Sequence, residues 1–323
     1  MQFPGTRALD GLDVVVPSGV TGLVGANGAG KTTLISLTLG LLQPTSGSIS
    51  VLGRDPGRDG PELRALIGYG PERNVFPDDL RAYDYVRHLA EVKGLPRDEA
   101  RSRASDSLYL VGLGEERFRA LGTMSTGQRQ RVKLAQAIAA DPRLIVLDEP
   151  TDGLDPVQRD VMLSIIVQVN RSFGIDVVLS SHVLEEVERV CDQVVALSEG
   201  RLVAQGTMAE LAGSSGGVEL ELVDIPDRAG SVDDVERRLT GAGATVRRTG
   251  PELLIGGLTD DELLDLAARA VADSGARLRR LGRHRRTLDD IFAEPIPPAP
   301  GALGDVAPTE PPYRAAVDGG AGS

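Results

Sequence analysis

From residue 10 to about 210, short apolar runs alternate with longer stretches whose apolar positions recur at helical spacing. The runs Val14–Val16, Thr21–Val24, Ile49–Val51, Leu144–Asp148, Val177–Ser180 and Val194–Leu197 read as strands. Several are apolar at every position rather than at alternate ones, as expected of a largely parallel sheet covered by helices on both faces. The clearest helix has Asp155 as cap and Pro156 in its first turn. Val161, Ile165, Val169 and Phe173 then repeat at i+4 until Gly174. Between Glu72 and Ser125 the pattern predicts a mostly helical insert that includes Arg81–Lys93 and Arg97–Val111.

The Gly/Ser-rich segment 213–217 reads as a linker between a first domain, 1–212, and a second, 218–294. The second has its own rhythm: strand Val218–Val223, helix Val232–Thr240, strands Thr245–Arg248 and Leu253–Ile255, helix Asp260–Ala272, strand Arg277–Leu281. That is β-α-β-β-α-β, the order of a ferredoxin-like α+β unit. Residues 295–323, rich in Pro, Gly and Ala, predict a disordered tail.

Composition narrows the function. The net charge of −12 disfavours a non-specific grip on nucleic acid or acidic lipid. Only one cluster, Arg277–Arg286, is basic, and it carries no interleaved aromatics. The longest apolar runs, such as Leu34–Leu42, fall well short of the roughly 20 residues a membrane-spanning helix needs. Met1–Asp10 lacks a basic flank before an apolar core, so no secretory signal is expected there. The single cysteine, Cys191, excludes an internal disulfide, suits a cytoplasmic setting and reads as a buried core residue. All but three of the 35 basic residues are arginine, the exceptions being Lys31, Lys93 and Lys133.

Gly25-Ala-Asn-Gly-Ala-Gly-Lys31-Thr32 fits G-x-x-x-x-G-K-[ST] between a strand and the expected helix Thr32–Leu42. Glycines let backbone N–H groups turn inward around phosphate oxygens. The candidate nucleotide contacts are therefore Gly25, Asn27, Gly28, Ala29, Gly30, Lys31, Thr32 and Thr33. Lys31 reaches the terminal phosphates and the Thr32 hydroxyl reaches Mg²⁺. The strand Leu144–Asp148 ends in paired carboxylates. Asp148 is placed to hold the metal shell and Glu149 to take a proton from an attacking water. His182, after the strand Val177–Ser180, is placed to donate to the γ-phosphate.

Ser125-Thr-Gly-Gln128 is by itself a helix-capping box. Placed just before the Leu144–Glu149 strand, Met124-Ser-Thr-Gly-Gln128 also resembles the signature sequence of ATP-binding cassette (ABC) proteins. Asp152-Gly-Leu-Asp155 resembles their D-loop, Ser181-His182 their switch histidine, and Ile67-Gly-Tyr-Gly-Pro-Glu72 their Q-loop with glutamate in the glutamine position. Phe3 sits where the family places an aromatic under the adenine ring. The resemblance covers about residues 1–210.

It implies a P-loop NTPase core with a helical subdomain at about 73–140, ATP and Mg²⁺ as cofactors, and Ser125, Gly127, Gln128 and Asp155 facing the ATP of a paired cassette. It places Glu72 beside the metal, together with Thr32 and Asp148. With one cassette in this chain, the pair is a homodimer or a related second subunit. Pro17-Ser-Gly19, Phe76-Pro77 and Leu288-Asp-Asp-Ile-Phe292 resemble bacterial multidrug and antibiotic export ATPases. Those imply separate membrane permease subunits as partners, no nucleic acid, and a place on the inner face of the cell membrane. The alternative is a non-transport cassette ATPase acting on nucleic acid or ribosomes.

Overall fold

The computed structural model describes residues 1–73, 75–212, 217–223, 232–284 and 287–293. Almost all of the expected linker, the tail 295–323, and Arg285 and Arg286 of the basic cluster lie outside the described residues.

A six-stranded sheet runs β4-β5-β6-β3-β7-β8, formed by β3 (Val20–Val24), β4 (Ile67–Gly70), β5 (Leu144–Asp148), β6 (Asp176–Ser181), β7 (Gln193–Ser198) and β8 (Arg201–Thr207). All neighbours are parallel except β7 and β8, which form a hairpin through Glu199-Gly200. The strands are apolar throughout because both faces are covered. Along β5, Leu144 and Val146 join one core with Leu23, Ile35 and Leu63, whereas Ile145 and Leu147 join the other with Val132, Ile166 and Leu179. Parallel pairing brings the carboxyl ends of β3, β5 and β6 to one edge of the sheet. The functional residues gather there.

Two expected strands are absent. Val14–Val16 adopts no regular structure, and Ile49–Val51 contributes only an isolated bridge between Val51 and Arg54. An extended run becomes a strand only beside a partner. Among the described residues no strand pairs through its backbone with Val14–Val16, where β8 reaches Val15 O only through the Gln205 side chain, and Val15 is 72% exposed. Conversely, β4 and β8 were not anticipated from the apolar pattern: β4 is half glycine and β8 is only half-buried.

The phosphate-loop helix α1 (Lys31–Thr38) is shorter than the apolar run Leu34–Leu42 suggested. Gly40 takes φ 67°, and the Leu41 and Leu42 N–H groups fold back onto Ser36 O, which closes the helix. A short helix α2 (Gly60–Ala65) leads into β4. Helices α3 (Ala82–Val92) and α4 (Arg97–Leu110) form the expected insert, and α5 (Thr126–Ile138) follows it. In α6 (Pro156–Phe173) the i+4 stripe is only partly buried. Met162, Ile165, Ile166 and Val169 face the core, but Val161 and Phe173 are exposed. Strict i+4 spacing drifts by about 40° per step against a helix of 3.6 residues per turn, so the two ends of the stripe rotate outward.

The second unit begins with β9 (Val218–Val223), after the short helix α8 (Met208–Ala212). It continues through α9 (Val232–Gly241), β10 (Thr245–Thr249), β11 (Glu252–Gly256), α10 (Asp260–Ser274) and β12 (Arg277–Arg283). Its antiparallel sheet runs β10-β11-β9-β12, the ferredoxin-like order, over a separate core of Leu220, Leu239, Leu253 and Leu263. The last helix, α11 (Leu288–Ala293), leaves that core. Its Leu288 and Ile291 bury in the first unit's core, and the Leu288 N–H donates to Glu188 Oε1 at 2.7 Å. Glu188 lies on α7 (Leu184–Val190), the helix that follows His182.

Three of the four arginines of β12 are matched by acids: Arg279 reaches Glu221 at 2.8 Å, Arg283 reaches Asp261 at 2.7 Å, and Arg280 pairs with Glu219. Within the described residues this basic stretch is a solvated and mostly paired strand face. Cys191 is buried, and burial pushes its thiol up to about 12, in keeping with an unreactive core residue. Among the described residues no helix is long and apolar enough to cross a membrane.

Candidate functional site

A cleft of about 410 Å³ opens at the carboxyl edge of the six-stranded sheet. Its walls come from residues distant in sequence: Asn27–Thr33 from the loop and α1, Asp148 and Glu149 from β5, Glu72 after β4, and His182 after β6. Thr6 and Arg7, which form β2 and pair with β1 (Gln2–Phe3), close one side together with Ala8.

The loop from β3 to α1 is tightly held. A side chain at Gly25, where φ is 152°, would meet Leu197 O at 2.3 Å. No side chain caps the N-terminus of α1. Its first-turn N–H groups have no intrahelical partner and point into the cleft, as an anion site requires. The Lys31 ammonium is buried, donates to Gly25 O at 2.6 Å and lies 3.3 Å from Glu149 Oε1. An ammonium has three donors, so one remains for a ligand oxygen.

The two carboxylates of β5 are held differently. Asp148 is 2% exposed and accepts from Ser180 Oγ at 2.6 Å, with the Thr32 hydroxyl at 3.5 Å from its other oxygen. Glu149 leaves the strand with φ 49°, uncommon for a residue with a side chain. Its N–H donates to Ser180 Oγ at 2.9 Å, and its carboxylate lies 2.8 Å from His182 Nδ1. Ser180 therefore fixes both acids. Nothing in its own segment marked it, but parallel register pairs it with Asp148, and a serine ending an apolar strand beside a catalytic acid is the available signal.

Glu186 on α7 is a second residue that sequence reading missed. It is 3% exposed, accepts from Thr151 Oγ1 at 2.6 Å and pairs with Arg159 at 2.8 Å. The Ser181 hydroxyl also reaches it, at 3.4 Å. It ties the turn after Glu149 to the turn before His182. Glu186→Ala leaves the Arg159 charge and the Thr151 hydroxyl without this partner, so unfolding free energy falls by about 2–4 kcal/mol, read from the urea midpoint.

The donor set suits a nucleotide with Mg²⁺. One buried ammonium and a helix N-terminus offer positive ends to phosphate. The excess negative charge of Asp148 and Glu72, felt at Tyr69, whose phenol is raised by burial and then by these two acids, offers hard oxygens to a cation. No group of three or more His, Cys, Asp or Glu among the described residues forms a metal cage. That is compatible with Mg²⁺, which keeps waters and phosphate oxygens among its ligands.

The structure thus brings the loop residues, Asp148, Glu149, His182 and Glu72 together. It does not bring Phe3, Ser125, Gly127, Gln128 or Asp155 into that cleft. Phe3 is 37% exposed on β1. Ser125 and Gln128 form the capping box at the exposed start of α5. Asp155 caps α6 through Gln158 N at 2.8 Å. These two helix starts pack on each other: Gln130 Nε2 donates to Asp152 O at 3.2 Å, and the Gln158 amide lies where a Cβ at Gly127 would displace it. Together they make one exposed surface.

Comparison with known proteins gives a consistent picture. A sequence profile described as ABC transporter matches residues 9–152. The chain is 33% identical over 295 residues to the daunorubicin/doxorubicin resistance ATP-binding protein DrrA of Streptomyces peucetius, covering 90% of this chain and 88% of that one. It is 34% identical over 294 residues to the daunorubicin resistance ATP-binding protein DrrA3 of Streptomyces coeruleorubidus, covering 90% and 92%. Among solved structures, cbiO1 of Clostridium perfringens, part of the ABC transporter complex cbiONQ, superposes with a TM-score of 0.59 at 32% identity, over 65% of this chain and 86% of that one.

Proposed function

The chain belongs to the ATP-binding subunits of ABC transporters, and on that premise we propose that it powers a membrane exporter of drug-like or antibiotic molecules. It is an ATP hydrolase. The observation that carries the export reading is similarity to drug-resistance ATPases along nearly the whole chain, second unit included. The nucleic-acid alternative has no support among these relatives, and three arginines of the basic stretch, Arg279, Arg280 and Arg283, are each paired with an acid.

The geometry of the cleft supports a role for each of its residues. Backbone N–H groups of Gly28–Thr33 and the Lys31 ammonium hold the phosphates, with Asn27 and Ala29 shaping the loop. Thr32, Asp148 and Glu72 are the residues that would hold Mg²⁺, which supplies charge neutralisation at the β- and γ-phosphates. Glu149 receives the proton of the attacking water. His182, within hydrogen-bond distance of Glu149, keeps that carboxylate aimed and is half-exposed toward the γ-phosphate position. The exposed ring of Phe3 stacks on adenine.

The surface formed by Ser125, Gly127, Gln128 and Asp155 faces the phosphates of a second cassette, because the exposed N-terminus of α5 presents a positive dipole end that favours a further anion. Closure around ATP then moves membrane-embedded permease subunits between two states.

The test is co-purification. Tagged Glu149→Gln protein, captured with ATP from detergent-solubilised membranes of its host, should bring down a polytopic membrane protein. Recovery of ribosomes or nucleic acid in its place would contradict the export reading.

A further inference from the structure

Strand β4 lies at the edge of the main sheet, paired only with β5. An edge strand leaves every second carbonyl without a ladder partner. Here the carbonyls of Ile67, Tyr69 and Pro71, at i, i+2 and i+4, each accept a side-chain donor from the helical insert or from α5. Lys93 Nζ, at the end of α3, donates to Ile67 O at 2.6 Å. Gln136 Nε2 on α5 donates to Tyr69 O. Lys133 Nζ, one turn earlier on α5, donates to Pro71 O at 2.6 Å and to Glu72 O at 3.0 Å. Three side chains thus stand in for a missing strand.

Two further observations single these contacts out. Lys133 is 5% exposed, so its charge is held out of water against these carbonyls. In a chain that otherwise uses arginine, both lysines outside the phosphate loop serve this one edge. A compact ammonium fits against single carbonyls in a tight space where a planar guanidinium fork does not. Gly68 allows the approach, since a Cβ there would meet Ala137 O of α5 at 2.1 Å.

We propose that Lys133, supported by Gln136 and Lys93, is a positioning residue that locks Glu72 in the nucleotide cleft to helix α5, whose far end carries Ser125–Gln128. A displacement of the exposed end of α5 is then transmitted to Glu72 through two hydrogen bonds rather than through loose packing. The inference rests on the reading of Glu72 as metal-adjacent, and the test separates the two.

The experiment compares Lys133→Met, Lys133→Gln, Glu72→Ala and the double variant Lys133→Met/Glu72→Ala in the full chain, reading kcat, KM for ATP, the half-saturating Mg²⁺ concentration and the melting temperature. Lys133→Met should lower kcat about tenfold and raise the Mg²⁺ requirement several-fold, with KM for ATP within about twofold of the parent. Lys133→Gln keeps an amide NH2 donor for this edge and should recover part of the loss. The double variant should be no worse than Glu72→Ala alone, as expected of residues acting through one another. Additive losses, or a lower melting temperature with unchanged kcat per folded molecule, would overturn the proposal and leave Lys133 a packing residue. Should Glu72→Ala itself leave kcat and Mg²⁺ dependence untouched, the reading of Glu72 fails instead.

Discussion

Glu149→Gln protein binds ATP and turns it over about 10² to 10³ times more slowly than the parent, measured as steady-state phosphate release. The size follows from the role. A positioned general base contributes a factor of this order, and the amide keeps the shape and the contact with His182 while losing the ability to take a proton. Fold and nucleotide affinity survive because Asp148, Ser180 and Lys31 keep their mutual contacts. Loss of the carboxylate 3.3 Å from Lys31 also removes a competitor for its ammonium, so ATP binds the variant at least as tightly as it binds the parent. A variant with parental turnover would remove Glu149 from the base role.

Lys31→Ala should weaken ATP binding about 100-fold, read by titration with a fluorescent ATP analogue. The buried ammonium is the one side-chain cation inside the loop, and its loss removes a charge-assisted bond to phosphate. It also strips Gly25 O of its donor and leaves Glu149 facing the phosphates without a neighbouring cation. Lys31→Arg should rescue poorly. The side chain is 7% exposed between Gly25 O and Glu149, which leaves little room for a fork of five donors. ADP affinity should fall less than ATP affinity, since Lys31 serves the terminal phosphate.

The gathering of the loop, Asp148 and Glu149 in one cleft was legible because the pattern is local in sequence. A loop that must wrap phosphate with backbone N–H groups needs glycines and a lysine at fixed offsets, and a strand that must end in two acids shows both. What escaped reading is held by tertiary register. Ser180 matters because parallel pairing sets it opposite Asp148, and Glu186 because α7 returns beneath the turn after Glu149. No single segment announces either.

Strands failed in both directions for one reason. Val14–Val16 has the composition of a strand without a partner, whereas the glycine-rich Ile67–Gly70 has a partner without the composition. The ferredoxin-like unit was legible in element order, because its antiparallel hairpin and two amphipathic helices alternate cleanly. The exception was α11, whose apolar Leu288 and Ile291 looked like the end of that unit but bury in the core of the other.

The central claim is that the cleft is completed by a second cassette that closes over ATP. The direct measurement is the molar mass of purified Glu149→Gln protein by light scattering, with Mg²⁺ and either ATP or ADP. The account predicts a doubled mass with ATP only, one ATP retained per chain, and return to monomer when Ser125 is replaced by glutamate, whose charge repels the facing phosphates. A variant that holds ATP at full occupancy and stays monomeric would contradict closure between copies of this chain.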